Sequence, residues 1–279
     1  EDPTKINKLI RELASIFTKS NYVGFTATPF ANVFIDPETT EKMETQDLFP
    51  EDFIVSLPTP SNYIGANKIF DPDGEYHNQL TYIKDAGREE ADGFSFWFKH
   101  TKEWQGELPD SLTDAMYAFY IVNAVRDLLI NISRFVAVQK YIKSQVEDIH
   151  RNAYRAIKFN ISGRDSLKDP VIRRIHEIYE QYYSFVEFSW EEIAGRIFDS
   201  IENIQIKVVN SSRSSEKLEY PKNDSLRVIA IGGLALSRGL TLEGLIISYF
   251  YRNPSTYDVL MQMGRWFGYR KNYDDLFRI

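Results

Sequence analysis

Residues 227–245 read RVIAIGGLALSRGLTLEGL and decide the fold class of this 279-residue chain. The apolar start of the stretch has the length and β-branched content of a buried strand that ends at Gly232. The loop that follows carries glycines with Ser237 and Arg238, and a second apolar strand is predicted at residues 245–251. In open parallel sheets, ligands bind beside loops at the carboxyl ends of strands. The stretch therefore predicts an α/β fold with a loop that faces a ligand, although a glycine-rich turn with one solvated arginine also fits the glycines.

The rest of the chain alternates between helical periodicity and short apolar runs of strand length. The predicted helices cover residues 6–18, 115–125, 134–159, 170–185, 190–201 and 255–268. The other predicted strands cover residues 22–28, 128–132, 204–209 and 227–231. This alternation predicts a mostly parallel sheet that is covered by helices on both faces. Between residues 36 and 110 the chain is rich in Pro, Gly and acidic residues, which predicts an irregular insertion with small strands near residues 53–57 and 93–98.

The composition limits the classes of function. The net charge is −7, so a broad basic face that coats DNA without sequence preference is not expected, whereas a local basic channel is compatible with it. The chain has no Cys, which excludes disulfides, thiolate catalysis and zinc sites built on Cys. No apolar run is long enough for a membrane span and the first residues lack a signal-peptide pattern, so a cytoplasmic protein without a membrane partner is expected.

A second stretch with chemical potential is QMGRWFGYR at residues 262–270, where Arg265 and Arg270 flank apolar residues. A rigidly held arginine near the end of a sheet can reach a γ-phosphate across a domain cleft and stabilise transition-state charge. A surface helix end with salt-bridged arginines is the alternative. Two glycines inside the segment disfavour a plain helix, because each lowers helix stability.

The order of the motifs resembles that of superfamily two helicases. The strand end Thr26-Ala27-Thr28 resembles their motif three, the loop after Gly232 motif five, and the arginine segment motif six. The segment Asn131–Phe135, at a strand-to-helix junction, stands where motif four belongs. The strings GFTATPFANV, NYIGANKIF, IGGLALSRGLTLEGL and MQMGRWFGYR are similar to the Z1 domain family. That family carries an endonuclease label and accompanies a helicase module in bacterial restriction-modification and phage-defence proteins.

The resemblance implies a RecA-like α/β fold with three parts: the end of a first lobe over residues 1–36, an inserted subdomain over 37–112 and a second lobe over 113–279. It implies that the chain is the C-terminal fragment of an ATP-dependent DNA helicase or translocase, a hydrolase. The expected partners are DNA, in duplex form, an upstream Walker-containing lobe of the same protein, and a methyltransferase or another defence component. ATP and Mg²⁺ are expected in the full-length protein.

The implied site residues follow from the matched motifs. Residues with an implied role in binding nucleic acid are Thr26, Thr28, Ser133, Arg134, Ser237 and Arg238. Residues with an implied role at the nucleotide are Gly239, Thr241, Arg265 and Arg270, and the two arginines are the catalytic candidates. In the common pattern of superfamily two helicases the second arginine follows the first by three positions, but here five positions separate them. We therefore expect Arg270 to be the arginine finger, with Arg265 as its partner in the cleft.

Parts of an ATPase site are missing from this sequence. It has no Gly-x-x-x-x-Gly-Lys-Ser/Thr loop and no early acidic pair that would hold Mg²⁺. We therefore expect that an upstream lobe supplies them, and that this chain alone neither holds ATP and Mg²⁺ nor hydrolyses ATP.

Two other functions stay open from the sequence. A metal-dependent DNA endonuclease would need ligands from distant positions, because the four histidines are scattered and Asp71, Asp73 and Glu75 suggest an acidic turn more than a Ca²⁺ loop. No metal ligands are therefore assigned. A non-catalytic interaction module that kept the motor fold is the other alternative.

Overall fold

The computed structural model describes residues 5–21, 23–25, 53–85, 101–123, 127–131, 135–210, 227–233, 245–251, 264, 267–270 and 273–279. The chain divides into two compact units, Glu1–Thr59 and Pro60–Ile279. In the first unit the described helix is α1 (Lys5–Ser15). Its apolar side chains recur at helical spacing, which agrees with the helix predicted at residues 6–18.

The second unit contains the parallel sheet and the helices that pack on it. Its helices, within the described residues, are α2 (Ala66–Phe70), α3 (Asp110–Asn123), α4 (Val136–Asn160), α5 (Pro170–Tyr182) and α6 (Trp190–Ile201). Its strands are β1 (Asp127–Asn131), β2 (Gln205–Val209), β3 (Val228–Gly232) and β4 (Leu245–Phe250). Short 3-10 helices cover His77–Gln79 and Ser166–Lys168.

The four strands form one sheet in the order β2-β3-β1-β4, and every neighbouring pair is parallel. Each described residue of β3 is buried, and so is β4 up to Tyr249, as expected for strands covered on both faces. This confirms the predicted α/β class with a parallel sheet. The finer RecA-like assignment stays a prediction.

Side chains fix the first turns of the two helices before β2. Asp169 caps α5, because its Oδ1 accepts hydrogen bonds from the backbone N–H groups of Val171 at 2.9 Å and Ile172 at 3.3 Å. Ser189 and Glu192 form a capping box at the start of α6, so that each side chain binds the backbone N–H group of the other residue. These caps explain why both helices begin where the sequence predicts.

Helix α3 lies at the centre of the core. Its residues from Met116 to Asn123 are all buried, so it has no broad solvent face. It packs on β1 and β4 and also contacts α5 and α6, while α4 packs on β2 and β3. A hydrogen bond of 2.8 Å between the Tyr120 hydroxyl of α3 and His150 Nδ1 of α4 joins the two helices.

Residues 60–85 pack with the same core, although sequence analysis assigns them to an insertion. Ile64 and Ile69 belong to the hydrophobic core together with sheet and helix residues. The backbone N–H of Thr81 donates to the carbonyl of Ile279 at 2.8 Å, so this segment also pairs with residues close to β4. The predicted limits of the insertion, residues 37–112, stay a prediction.

Several predicted elements differ from the structure. No strand covers residues 53–57, where Phe53, Val55 and Leu57 are all more than half exposed instead of packed in a sheet. Residues 23–25 are not in a strand either, and the rest of the strand predicted there lies outside the described residues. The helix predicted at 255–268 is wrong at its end, because Phe267 and Gly268 are not helical. Across the described ranges, no helix combines the length and apolar character needed to span a bilayer.

Candidate functional site

The four strands end at the same level along one edge of the sheet. The Cα register pairs Asn131, the last residue of β1, with Gly232 of β3 on one side and with Phe250 of β4 on the other. Gly232 in turn pairs with Val209, the last residue of β2. Ligands of open parallel sheets bind outside this carboxyl edge. The register therefore makes this edge the candidate site.

The direction of the connections supports the same edge. After β1 the chain leads to β2, at one end of the sheet, whereas after β3 it leads across β1 to β4. Neighbouring strands whose connections leave in opposite directions open a crevice between their carboxyl ends. The strand order therefore predicts a crevice at the carboxyl ends of β1 and β3, beside Asn131 and Gly232.

A polar contact holds helix α4 near this edge. Asn210, which follows the last residue of β2, donates from Nδ2 to Gln139 Oε1 at 3.4 Å. Gln139 lies in the first turn of α4 and its side chain is buried. The start of α4 is therefore fixed beside the end of β2. The segments predicted to be motifs four and five follow β1 and β3 at this same edge.

Most of the predicted site residues lie outside the described residues. The structure brings together the strand ends that precede them, Asn131 before Ser133 and Arg134, and Gly232 before the loop of residues 234–244. Their predicted roles stay predictions. The predicted site residues outside the described ranges are Thr26, Thr28, Ser133, Arg134, Ser237, Arg238, Gly239, Thr241 and Arg265.

Arg270 is described, and its side chain is only 6% exposed. Its guanidinium donates a hydrogen bond to the backbone carbonyl of Leu245, the first residue of β4. The guanidinium carbon lies 4.9 Å from the ring centroid of Phe277 and 5.7 Å from that of Tyr273. Burial lowers the pKa of Arg270, and the neighbouring Tyr273 opposes this shift.

These contacts place Arg270 at the amino end of β4, away from the candidate edge. Five residue steps separate Leu245 from Phe250, which is about 16 Å along a strand. In the described structure, Arg270 therefore joins the start of β4 to the aromatic rings of the C-terminal segment. This is the environment of a structural arginine, and its predicted role as the finger stays a prediction.

The two glycines of the arginine segment have packing roles. Gly268 has φ of 143°, which an L side chain rarely adopts, and it forms an antiparallel bridge with Ile64. A Cβ on Gly264 would lie 2.4 Å from the Phe267 ring. The Tyr269 ring meets Tyr63 edge-on, with 5.4 Å between the ring centroids. These contacts fix the segment around Arg270 against residues 63–64.

Sequence analysis assigns no role to Tyr63 and Ile64. Both lie in NYIGANKIF, one of the strings that resemble the Z1 family. This resemblance is the signal in the sequence that could have drawn attention to them. The partnership with residues 268–269 joins positions about two hundred residues apart, so periodicity within either segment could not reveal it.

His77, His176 and Asp71 have partners nearby in the sequence. His77 Nδ1 lies 3.2 Å from the carbonyl of Ile69, and His176 pairs with Glu180 at 3.7 Å. The backbone N–H of Asp73 donates to the Asp71 carboxylate, which forms the acidic turn that the sequence predicts. Within the described part of the chain, no group of three or more His, Asp and Glu side chains is placed to hold a metal ion.

Comparison with known proteins gives one match. Neither the curated proteins nor the solved structures contain a protein that matches the chain. The family profile of the Z1 domain matches residues 111–279, which include the whole sheet and helices α4 to α6. This match covers more than half of the sequence, and the chain therefore belongs to the Z1 domain family.

Proposed function

We propose that the chain is the second RecA-like lobe of an ATP-driven motor that acts on duplex DNA in a bacterial restriction or phage-defence system. The observation that carries this proposal is the pairing of Asn131 with Gly232 at the carboxyl edge of the sheet. It supports the proposal because two segments that resemble helicase motifs follow these two residues directly in the sequence.

The residue types that follow the two strand ends suit phosphate binding. Glycine backbone N–H groups, the Ser237 hydroxyl and the Arg238 guanidinium are donors that bind phosphate oxygens of nucleic acid or nucleotide. Ser133 and Arg134 supply the same kinds of donor after the neighbouring strand. Donors on adjacent strands at one level can contact one backbone, which is the geometry that a motor needs.

The position of Arg270 supports different roles for Arg265 and Arg270. Arg270 already binds the Leu245 carbonyl and two aromatic rings, so releasing it toward a phosphate would cost these contacts. We therefore assign the arginine finger to Arg265 and a positioning role to Arg270. This reverses the assignment expected from the sequence.

ATP and Mg²⁺ enter the proposal as ligands of the complete motor. ATP hydrolysis supplies the free energy for movement, and this chain would contribute arginine and backbone donors to the phosphates. The donors named above fit phosphate, whereas the described residues offer no carboxylate cluster for Mg²⁺. The metal carboxylates and the phosphate loop would come from the upstream lobe.

The test is DNA-stimulated ATP hydrolysis by the full-length gene product. We expect slow hydrolysis without DNA and a clear increase when duplex DNA is added, with no hydrolysis by residues 1–279 alone. Hydrolysis that is absent from the full-length protein under both conditions would contradict the proposal. Mg²⁺-dependent nicking of supercoiled DNA by the chain without ATP would favour the nuclease alternative.

A further inference from the structure

The C-terminal end of helix α4 carries exposed cations that form no ion pair with any described residue. Arg155 and Lys158 lie three positions apart on one face of the helix, and Arg164 follows just beyond its end. All three are exposed, and among the described residues no carboxylate forms an ion pair with any of them. We name Arg155, Lys158 and Arg164 the basic stripe.

The helix dipole accounts for only part of the basic stripe. A cation in the last helical turn, such as Lys158, is stabilised by the carbonyl groups there. Arg155 lies before that turn and Arg164 beyond it, so both need another explanation. Exposed cations that lie near one another on a surface can contact successive phosphates of a nucleic-acid backbone.

An exposed aromatic ring lies next to the basic stripe. Phe159 is 75% exposed, and its ring centroid is 6.0 Å from Lys158 Nζ. A phenylalanine so exposed leaves about three quarters of its surface in water and contributes little to the core. Beside phosphate-binding cations, however, such a ring gives an unstacked base a surface on which to stack.

A cavity of about 660 Å³ continues from the basic stripe, in the size range of small-ligand sites. Arg164 and Lys168 line it together with Trp190 and Gly195 of α6. The Trp190 ring is fixed by an edge-on contact with His176, with 4.8 Å between the ring centroids. The cavity therefore offers a rigid aromatic wall and cations on one side.

Gly195 lines this cavity. It lies inside helix α6, where a glycine stabilises the helix less than an alanine would. A Cβ at this position would meet no atom within 4 Å, so packing does not require the glycine. Its absence of a side chain instead leaves room for a ligand.

Acidic residues also face the cavity and limit the chemistry of its ligand. Glu191 lines it, and Asp165 lines it while paired with Lys168 at 3.0 Å. These carboxylates make the interior unsuitable for a bare phosphate. A carboxylate such as Glu191 can, however, accept a hydrogen bond from a base donor, such as the N3–H of thymine or the exocyclic amine of cytosine.

We propose that the basic stripe, Phe159 and this cavity form a binding surface for single-stranded nucleic acid. Phosphates lie along Arg155, Lys158 and Arg164, one base stacks on Phe159, and a neighbouring base enters the cavity beside Trp190. None of these residues belongs to the helicase-like motifs, so variants at this surface leave those motifs unchanged.

The test measures binding of a fluorescent 20-nucleotide oligo-dT to the 279-residue chain by anisotropy at several salt concentrations. The double variant Arg155→Gln/Arg164→Gln should weaken binding at least tenfold and reduce the salt slope by about 1.4, which corresponds to two lost single-strand phosphate contacts. The control Lys84→Gln/Lys102→Gln removes two other exposed cations and should change the affinity less than twofold. An equal loss in both double variants, or no binding by the wild type, overturns the proposal.

Phe159→Ala separates base stacking from charge. We expect it to weaken oligo-dT binding about fivefold or more without changing the salt slope, because stacking is not a counterion effect. On an abasic oligonucleotide of the same length, Phe159→Ala should bind like the wild type. An equal loss on the abasic strand overturns the stacking role. The assay contains no ATP, so its failure leaves the ATPase proposal untouched.

Discussion

The contacts of Arg270 in the fold indicate a different role from the one that its position in the sequence motif suggests. The motif order brings Arg265 and Arg270 to attention as a catalytic pair, and residue type alone cannot separate their roles. The contacts with Leu245, Tyr273 and Phe277 distinguish Arg270. Those contacts join segments that are distant in sequence or lie beyond the motif, so the motif itself could not predict them.

Arg270→Ala should lower the free energy of unfolding by about 2–4 kcal/mol, because it removes a buried charged hydrogen bond and a cation–π contact. Urea unfolding followed by circular dichroism measures this change. The exposed Arg155→Ala serves as the matched control and should shift the value by less than about 0.5 kcal/mol. Equal stability of the two variants would show that Arg270 does not stabilise the packing of the C-terminal segment against β4.

His150 should make stability depend on pH. Burial lowers its pKa below the usual 6.5. The unfolded chain therefore binds a proton on this residue before the folded chain does, and stability falls as the pH drops below about 6.5. Urea unfolding between pH 5 and 7.5 should show this loss, and His150→Gln should show a smaller slope. An unchanged slope in the variant would refute the assignment.

Helices and strands are the scale at which the sequence is most informative. The strand at residues 227–231 and the helix at 190–201 agree with the structure almost residue for residue, because buried β-branched runs and a capping box are local signals. Residues 53–57 have the same apolar character, yet no strand forms, since an apolar run does not specify a pairing partner. The sequence predicts the loops of the candidate site. It does not predict that Asn131 and Gly232 lie side by side, because that depends on the order and register of the strands.

The capping box of α6 gives a local test. Ser189→Ala removes the side-chain acceptor for the Glu192 backbone N–H, which lies 3.3 Å away. The expected loss of unfolding free energy is about 1 kcal/mol, the typical value for a lost helix cap. Ser166→Ala, in a short 3-10 helix and without a capping bond, should cost clearly less. A Ser189→Ala variant as stable as this control would show that the box contributes nothing.

At the scale of the whole second unit, residues 273–279 link the sheet to the segment that follows α2. The backbone N–H of Ser248 donates to the Arg278 carbonyl at 2.9 Å, and that of Ile279 donates to Gln79 at 3.0 Å. Residues 277–279 therefore connect β4 with the segment that follows α2. Tyr76 adds a hydrogen bond of 2.8 Å to Asp274.

Phe277→Ala tests this closure. Phe277 is fully buried, and its ring lies 5.6 Å from Tyr76 and beneath Arg270. Loss of such a side chain should cost about 3–5 kcal/mol and lower the urea midpoint without splitting the transition. Phe185→Ala, at a position 56% exposed, is the size-matched control. Comparable midpoints for the two variants would contradict a role of the C-terminal segment in the core.

The central claim is that this Z1 domain completes the ATPase site of a DNA motor, with Arg265 as its finger. The most direct measurement is the duplex-stimulated rate of ATP hydrolysis by the full-length protein and its Arg265→Ala variant, with thermal unfolding recorded for both. We predict that the variant hydrolyses ATP at least about 10³-fold more slowly than the wild type, with an unchanged melting temperature. A variant that hydrolyses ATP at the wild-type rate would contradict the claim.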